Sequence, residues 1–232
     1  MIQVNKLSKS FSRLKVLDEI SMEITKGGIY AILGPNGSGK TTFLKILLGM
    51  VLPDSGEIHY NEKNILKSHE YRSNLGYLPQ IARFPDNLSV KEIVAMIADV
   101  RNVPSEPDLL IKWFGLESFM DKKLGNLSGG TRQKVNIVLT FMFDSPVIVL
   151  DEPTAGLDPV SLIKLKELIN KEKAKGKIIL ITSHIMSLVE ELADEVFFLL
   201  EGNIYFNGTI AELRSQTQTE DLEHAIASIL AP

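Results

Sequence analysis

Apolar residues recur along the chain with two different periods, which together predict an α/β fold. Several short apolar runs predict the buried strands of a mostly parallel sheet. Helix-like segments separate these runs, as expected when the strands of a sheet are parallel. Near the start, residues 2–7 and 16–24 alternate in polarity and residues 57–60 add a short run, which predicts an N-terminal antiparallel β subdomain. The parallel strands are predicted near Ile29, Tyr77, Val147, Ile178 and Val196.

The middle of the chain has a helical pattern instead. Residues 89–100 are amphipathic, Pro104 and Pro107 break the chain, and residues 108–119 resume the helical period. We therefore predict that residues 81–126 form an inserted α-helical subdomain.

The remaining chain completes a single predicted domain over residues 1–232, with residues 1–80 and 127–232 as its core. Lys and Glu residues are frequent in the predicted helix at 160–175, which is most simply a solvated face. A hairpin-like segment at 203–207 and a helix at 221–230 end the fold.

A glycine-rich turn joins the predicted strand at 28–33 to a predicted helix at 41–48. Its sequence, GPNGSGKT, fits the phosphate-binding template with the required flanks. Backbone N–H groups at a helix start attract anions, Lys40 would reach the β- and γ-phosphates, and Thr41 would ligate Mg²⁺. An accidental glycine-rich turn is the alternative, and the flanking elements count against it. The predicted nucleotide-binding residues of the turn are Gly34, Pro35, Asn36, Gly37, Ser38, Gly39, Lys40, Thr41 and Thr42.

Two adjacent carboxylates follow the apolar run at 147–150. Parallel strands deliver such side chains to the carboxyl edge of a sheet. Asp151 would hold Mg²⁺ through its water shell, and Glu152 would polarise the attacking water as general base. Two solvated acids at a strand end are the alternative, but the phosphate loop favours the catalytic interpretation. ATP and Mg²⁺ are the cofactors predicted.

The tetrapeptide Leu-Ser-Gly-Gly at 127–130 resembles the signature of ATP-binding cassette (ABC) ATPases, and the resemblance covers nearly the whole chain. It implies a P-loop NTPase core and assigns further residues in the order that the family shows. By this resemblance Phe11 stacks on adenine and His184 hydrogen-bonds the γ-phosphate. Gln80 contacts Mg²⁺ and senses a membrane partner, and Asp158 couples two sites across a dimer.

The same resemblance implies that Ser128, Gly129 and Gly130 serve the γ-phosphate of a second protomer. Two chains, in a homodimer, would then pack head to tail around two ATP molecules. A helix start can present amides and a hydroxyl to a phosphate, although an ordinary N-cap at Ser128 is the alternative.

The other assigned residues also have simpler interpretations. Phe11 could be a core aromatic, His184 a helix-start histidine, and Gln80 a loop residue. Thr131 stands where the family usually has Gln or Glu, and Phe11 where Tyr is frequent. Thr131 with the following Arg-Gln-Lys resembles single-cassette ATPases of ABC-2 type, including those linked to copper handling in nitrous oxide reductase maturation.

Composition excludes several other classes of protein. The 232 residues, 44% hydrophobic and with a net charge of −4, suit one α/β domain and give no sign of nucleic-acid binding. Cysteine is absent, and the four histidines show no metal-ligand spacing. No apolar run approaches the ~20 residues of a membrane span, and the start lacks a signal peptide's apolar core. A cytoplasmic protein, peripheral on the inner face of the membrane, is expected.

The sequence therefore predicts the ATP-hydrolysing subunit of an ABC transporter, driving export rather than import through a separate membrane permease. A soluble ABC ATPase acting on DNA or ribosomes is the alternative, but it would normally show coiled-coil insertions, fused cassettes or basic extensions. A non-hydrolysing scaffold would require a defective Glu152 or phosphate loop, and both are intact.

Overall fold

The computed structural model describes residues 1–230, and the chain divides into two compact units. The first unit comprises Met1–Arg72 and Ile178–Pro232, and the second comprises Ser73–Lys177. The last two residues of the predicted domain, 231 and 232, lie outside the described range. The predicted limits of the helical subdomain at residues 81–126 stay a prediction.

An antiparallel sheet forms the N-terminal part of the first unit. Its strands, in spatial order, are β2 (Leu14–Ile24), β1 (Ile2–Phe11), β4 (Ser55–Tyr60) and β5 (Lys63–Asn64). Ile2 on β1 pairs with Ile24 on one side and with Tyr60 on the other. Both predicted alternating strands are confirmed and are longer than predicted. The strands up to this point are β1 (Ile2–Phe11), β2 (Leu14–Ile24), β3 (Gly28–Leu33), β4 (Ser55–Tyr60) and β5 (Lys63–Asn64).

A mixed sheet forms the rest of the first unit. Strand β3 runs parallel to β8 (Ile178–Thr182) and β9 (Glu195–Leu200), while β10 (Asn203–Gly208) pairs antiparallel with β9. All of β3 is buried, as expected for a central strand of a parallel sheet. The remaining elements of this unit are α1 (Lys40–Leu47), β8 (Ile178–Thr182), α6 (Met186–Leu192), β9 (Glu195–Leu200), β10 (Asn203–Gly208), α7 (Ile210–Thr217) and α8 (Leu222–Leu230).

The second unit contains two parallel strands and four helices. Its strands pair in register from Leu75 opposite Val147 to Leu78 opposite Leu150. The first helix begins with a capping box in which Ser89 and Glu92 satisfy each other's backbone N–H groups. The elements are β6 (Leu75–Leu78), α2 (Val90–Arg101), α3 (Pro107–Phe114), α4 (Gly129–Phe141), β7 (Val147–Asp151) and α5 (Pro159–Ala174).

Two helix predictions in the second unit were partly wrong. The helix predicted at 108–119 ends at Phe114, because Gly115 adopts a left-handed conformation (φ 66°) that terminates it. The charged helix at 160–175 is not solvated throughout. Glu172 is buried, and it pairs with the buried Lys177 and, at 2.8 Å, with Lys175. Buried charges are kept where a partner compensates them, which explains this exception.

Candidate functional site

The glycine-rich turn follows β3 and ends at the first residue of α1. Gly39 is the N-cap of α1, with φ 105°. A Cβ there would lie 2.6 Å from Leu17 Cδ2 and 2.7 Å from the Val16 carbonyl oxygen, so only glycine fits. No side chain among the described residues caps α1. The first N–H groups of the helix are therefore available to an anion.

Other groups in the turn also suit a phosphate ligand. The Lys40 side chain is 8% exposed, and its Nζ donates to the carbonyl oxygens of Gly34 at 2.6 Å and Pro35 at 2.9 Å. Ser38 Oγ is buried without a hydrogen-bond partner in the part of the chain that the structure describes. Gly37, at φ 83°, has open space where a Cβ would stand. A buried ammonium and an unpaired hydroxyl beside an uncapped helix fit polyphosphate.

The two carboxylates lie in the second unit at the end of β7. Asp151 is the last residue of the strand and is buried. Burial of Tyr77 on β6, and secondarily the charge of Asp151, raise the pKa of that tyrosine. Glu152 has φ 49°, a conformation that costs a non-glycine residue on the order of 1–3 kcal/mol and is concentrated at functional sites. Its carbonyl oxygen accepts the N–H of Ala155 at 3.3 Å, which closes a turn.

The signature tetrapeptide forms the start of α4. Ser128 is the N-cap, and its Oγ accepts the N–H of Thr131 at 3.3 Å. The helix begins at Gly129. A Cβ on Gly130 would lie 2.6 Å from the Gly156 carbonyl oxygen, whereas a Cβ on Gly129 would meet nothing within 4 Å. Packing inside the second unit therefore requires only one of the two glycines.

Asp158 occupies the N-cap of α5 and also pairs with α4. Its carboxylate accepts the backbone N–H of Ser161 at 2.8 Å and the Ser161 hydroxyl at 2.9 Å, and it lies 2.8 Å from Lys134 Nζ. The hydrogen bonds from Lys134 and Ser161 hold the pKa of this exposed carboxyl below its ordinary value. The turn before α5 thus packs closely against Gly130 of α4 and pairs with Lys134 of the same helix.

The residues assigned by resemblance lie in loops or at strand ends. Phe11 ends β1 and is 48% exposed, with Lys9 Nζ 5.4 Å from its ring centroid, so it is not a core aromatic. Gln80 is exposed in the segment after β6, and His184 is exposed between β8 and α6. Since α6 begins at Met186, His184 does not start a helix. The roles of all three residues stay predictions.

The comparison with protein families identifies the chain. The family described as "ABC transporter" matches residues 17–155, which is more than half of the sequence. This chain belongs to the ABC transporter family. The cassette is accordingly an ATP-binding and ATP-hydrolysing subunit, and the predicted α/β fold is confirmed.

Similar proteins agree with this identification. The cassette is 35% identical over 209 residues to the lantibiotic transport ATP-binding protein SrtF of Streptococcus pyogenes, covering 88% of this chain and 89% of that protein. It is 32% identical over 223 residues to the lipopolysaccharide export system ATP-binding protein LptB of Acidithiobacillus ferridurans, covering 92% of both. A solved ATP-binding subunit of an ABC transporter superposes with a TM-score of 0.93 at 28% identity, covering all of both chains.

Several polar residues of the cassette's α4 were missed by sequence reasoning. Lys134, Gln133 and Asn136 all hydrogen-bond or pair with segments that carry predicted site residues. The sequence indicates only that Gln133 and Asn136, three positions apart, lie on one face of the helix. It does not show whether that face is buried.

Two kinds of feature, a cluster of metal-ligating side chains and a membrane-spanning helix, are absent from the described residues. No group of three or more His, Asp or Glu side chains that could hold a metal ion occurs within residues 1–230. None of the helices in that range combines the length and apolarity needed to cross a membrane.

Proposed function

We propose that the cassette binds Mg–ATP at the glycine-rich turn, hydrolyses it with Glu152 as general base, and powers export through a separate membrane permease as part of a head-to-tail dimer. The observation that carries this proposal is the phosphate-binding chemistry of residues 34–41. An uncapped helix start, the buried Lys40 and the unpaired Ser38 hydroxyl converge there.

The turn holds the polyphosphate through its backbone N–H groups and the Lys40 side chain. N–H groups of residues 37–42 donate to phosphate oxygens, which the dipole of α1 also favours. Lys40 exchanges its bonds to the Gly34 and Pro35 carbonyls for bonds to the β- and γ-phosphates. Pro35, Asn36 and Thr42 shape the turn, and Phe11, exposed on β1, stacks on the adenine.

Hydrolysis depends on the carboxylates after β7. Glu152 accepts a proton from the attacking water, and His184 donates a hydrogen bond to the γ-phosphate. Thr41, Gln80 and Asp151 would hold Mg²⁺, which neutralises charge on the phosphate oxygens when bound. Phosphate oxygens and water would complete the coordination of a bound Mg²⁺, as is usual for this ion.

The signature segment serves a second protomer. Gly129 has open space around its missing Cβ and Ser128 is exposed, so both can approach a phosphate from another chain. Gly130 keeps the helix start close to the Gly156 carbonyl, and Asp158 follows in the same turn. A phosphate bound between two chains stabilises the closed dimer over the open pair, which can drive a partner between two shapes.

Transport and export are proposed from the relatives. One is described as a lantibiotic transport protein and the other as part of a lipopolysaccharide export system. We assign translocation to a separate membrane permease, with the cassette bound on its cytoplasmic face. These relatives favour a transporter over a mechanical ATPase acting on DNA or ribosomes.

Phosphate release from Mg–ATP tests the catalytic part of this proposal. Glu152→Gln should lower the rate by about 10²-fold or more, since general base catalysis typically contributes 10²–10⁴-fold. Glu201→Gln is a matched control, because Glu201 also follows a strand and also has a left-handed backbone (φ 48°). Equal rates for the Glu152 variant and the wild type would contradict the assignment of the general base.

Nucleotide binding can be tested in the same way with two lysines of α1. Lys40→Ala should abolish ATP binding at concentrations that saturate the wild type, whereas the exposed Lys45→Ala should not. Equal ATP affinity for the two variants, measured by titration calorimetry, would contradict the proposed role of the turn.

A further inference from the structure

Helix α4 buries a row of polar side chains on one of its faces. Gln133, Asn136 and Thr140 are 5%, 4% and 4% exposed. Residues three and four positions apart lie on the same side of a helix, so the three form one stripe. Burying an amide or hydroxyl without a partner costs about 1–3 kcal/mol, and each of these side chains is hydrogen-bonded.

The two amides form a continuous hydrogen-bonded bridge between two loops. Asn136 Nδ2 donates to the Pro79 carbonyl oxygen at 3.2 Å and to Gln133 Oε1 at 3.4 Å. Gln133 Nε2 in turn donates to the Pro153 carbonyl oxygen at 3.0 Å. We call this series of bonds, from Pro79 through Asn136 and Gln133 to Pro153, the α4 bridge.

The chemistry of the acceptors fixes the orientation of both amides. Every outer acceptor of the α4 bridge is a backbone carbonyl oxygen, so Asn136 and Gln133 must both present NH₂ groups to the loops. Rotating either amide by half a turn would place two oxygens against each other. The bridge therefore has one favourable arrangement, in which the two side chains act together.

Each end of the α4 bridge lies next to a residue proposed to act in hydrolysis. Pro79 directly precedes Gln80, and Pro153 directly follows Glu152. Proline fixes its own φ and cannot donate a backbone hydrogen bond, so its carbonyl oxygen is its one backbone hydrogen-bonding group. Glu152 has a strained backbone (φ 49°), and such a conformation persists only where surrounding contacts determine it.

We propose that Asn136 and Gln133 are positioning residues that couple the Gln80 segment to Glu152. This inference rests on the proposed function, because it assigns the bridge a part in ATP hydrolysis. A displacement of Gln80 moves the Pro79 carbonyl, and through the α4 bridge it changes the hold on Pro153 and the orientation of the Glu152 carboxylate. The coupling uses only bonds within the second unit.

Steady-state phosphate release by two helix variants tests the coupling. Asn136→Leu removes both bonds of Asn136 while keeping the branching and the number of heavy atoms, and it should lower kcat about tenfold because a small misplacement of a catalytic group is costly. KM for ATP should change less than about twofold, because the phosphate-binding turn is untouched. Thr140→Val is the matched control and should keep kcat within about twofold. Thr140 Oγ1 bonds the Tyr77 carbonyl at 3.1 Å and the Asn136 carbonyl at 2.9 Å, both outside the bridge.

A double-mutant cycle separates coupling from general loss of stability. If Asn136 acts through Gln80, Asn136→Leu should lower kcat far less in a Gln80→Ala background than in the wild type. Gln133→Glu, which replaces the donor to Pro153 at constant volume, should reproduce the kcat effect if Asn136→Leu does not fold. Additive effects of Asn136 and Gln80, or a Thr140→Val variant as impaired as Asn136→Leu, would overturn the inference.

Hydrogen exchange keeps this test independent of catalysis. Asn136→Leu should speed amide exchange in residues 154–157, and Thr140→Val should not. Unchanged exchange there would overturn the α4 bridge even in an inactive protein. A wild type that releases no phosphate but shows the exchange effect would contradict the proposed function and leave the bridge in place.

Discussion

Gly129 and Gly130 are neighbours at the start of α4, but they are glycines for different physical reasons. Gly130 faces the Gly156 carbonyl oxygen so closely that any side chain would collide with it. Gly129 has open space and lies within a helix, where glycine is less favourable than alanine by up to about 1 kcal/mol. Packing within the chain does not account for Gly129, whereas the proposed contact with a phosphate would account for it.

Alanine at these two positions should therefore have opposite effects on stability. Gly129→Ala should raise the free energy of unfolding by up to about 1 kcal/mol, measured in urea, because it improves helix propensity. Gly130→Ala should lower it by about 1–3 kcal/mol through overpacking.

Phosphate release should fall about tenfold or more in Gly129→Ala, since the added methyl group occupies the space proposed for a phosphate. A Gly129→Ala variant that is both more stable and fully active would contradict a ligand contact at Gly129.

At the scale of an element, α8 shows how an ion pair supports a helix start. Asp221 precedes the helix, and its carboxylate accepts the backbone N–H of His224 at 2.8 Å and contacts His224 Nδ1 at 2.8 Å. The hydrogen bond and charge of Asp221 raise the pKa of His224 above its ordinary value, and His224 lowers that of Asp221. Both groups are exposed, so solvent weakens the effect.

Nuclear magnetic resonance can measure this pair directly. The imidazole of His224 should titrate above 6.5, its ordinary pKa. A raised pKa in the folded state means that the pair stabilises α8 fully below about pH 6.5, and that this contribution is lost as pH rises through the folded pKa. Asp221→Asn keeps a capping side chain but removes the charge, so the midpoint should fall. A midpoint unchanged by this substitution would contradict the pairing.

Local patterns predicted most elements because their causes are local. Strand β3 has the predicted bounds, and β6 and β8 lie where strands were predicted near Tyr77 and Ile178, since each is an apolar run bounded by polar or turn-forming residues. The end of α3 was missed, because a helical pattern continues past Gly115 and only the left-handed conformation of that residue stops the helix. Helix α7 was not predicted.

In the candidate site, too, the features with local causes could be predicted from the sequence and the features with long-range causes could not. The phosphate-binding turn and the Asp151–Glu152 pair are contiguous in sequence, so motif and flanks were enough to propose them. Asn136 and Lys134 reach Pro79 and Asp158 across long stretches of chain. Nothing in the local sequence records such contacts, and only the folded packing of α4 places these side chains beside the loops.

For the molecule as a whole, we propose that one cassette is only half of the working assembly. The chain has its own phosphate-binding turn, and it also presents an exposed Ser128 and an open Gly129 at a second helix start. If the second helix start also binds a phosphate, as we propose, a partner's ATP would supply it. The modest net charge of −4 does not oppose such pairing strongly.

Light scattering of Glu152→Gln in saturating Mg–ATP tests whether two cassettes pair around shared ATP. The quantity measured is the solution mass of the variant. The variant should bind ATP without hydrolysing it, so the mass should double on adding nucleotide. Adding Gly129→Ala to the same background should return the mass to that of one chain. The shared site would be contradicted if Glu152→Gln binds ATP and remains a monomer. It would also be contradicted if the protein is a dimer whose mass changes neither with nucleotide nor with Gly129→Ala.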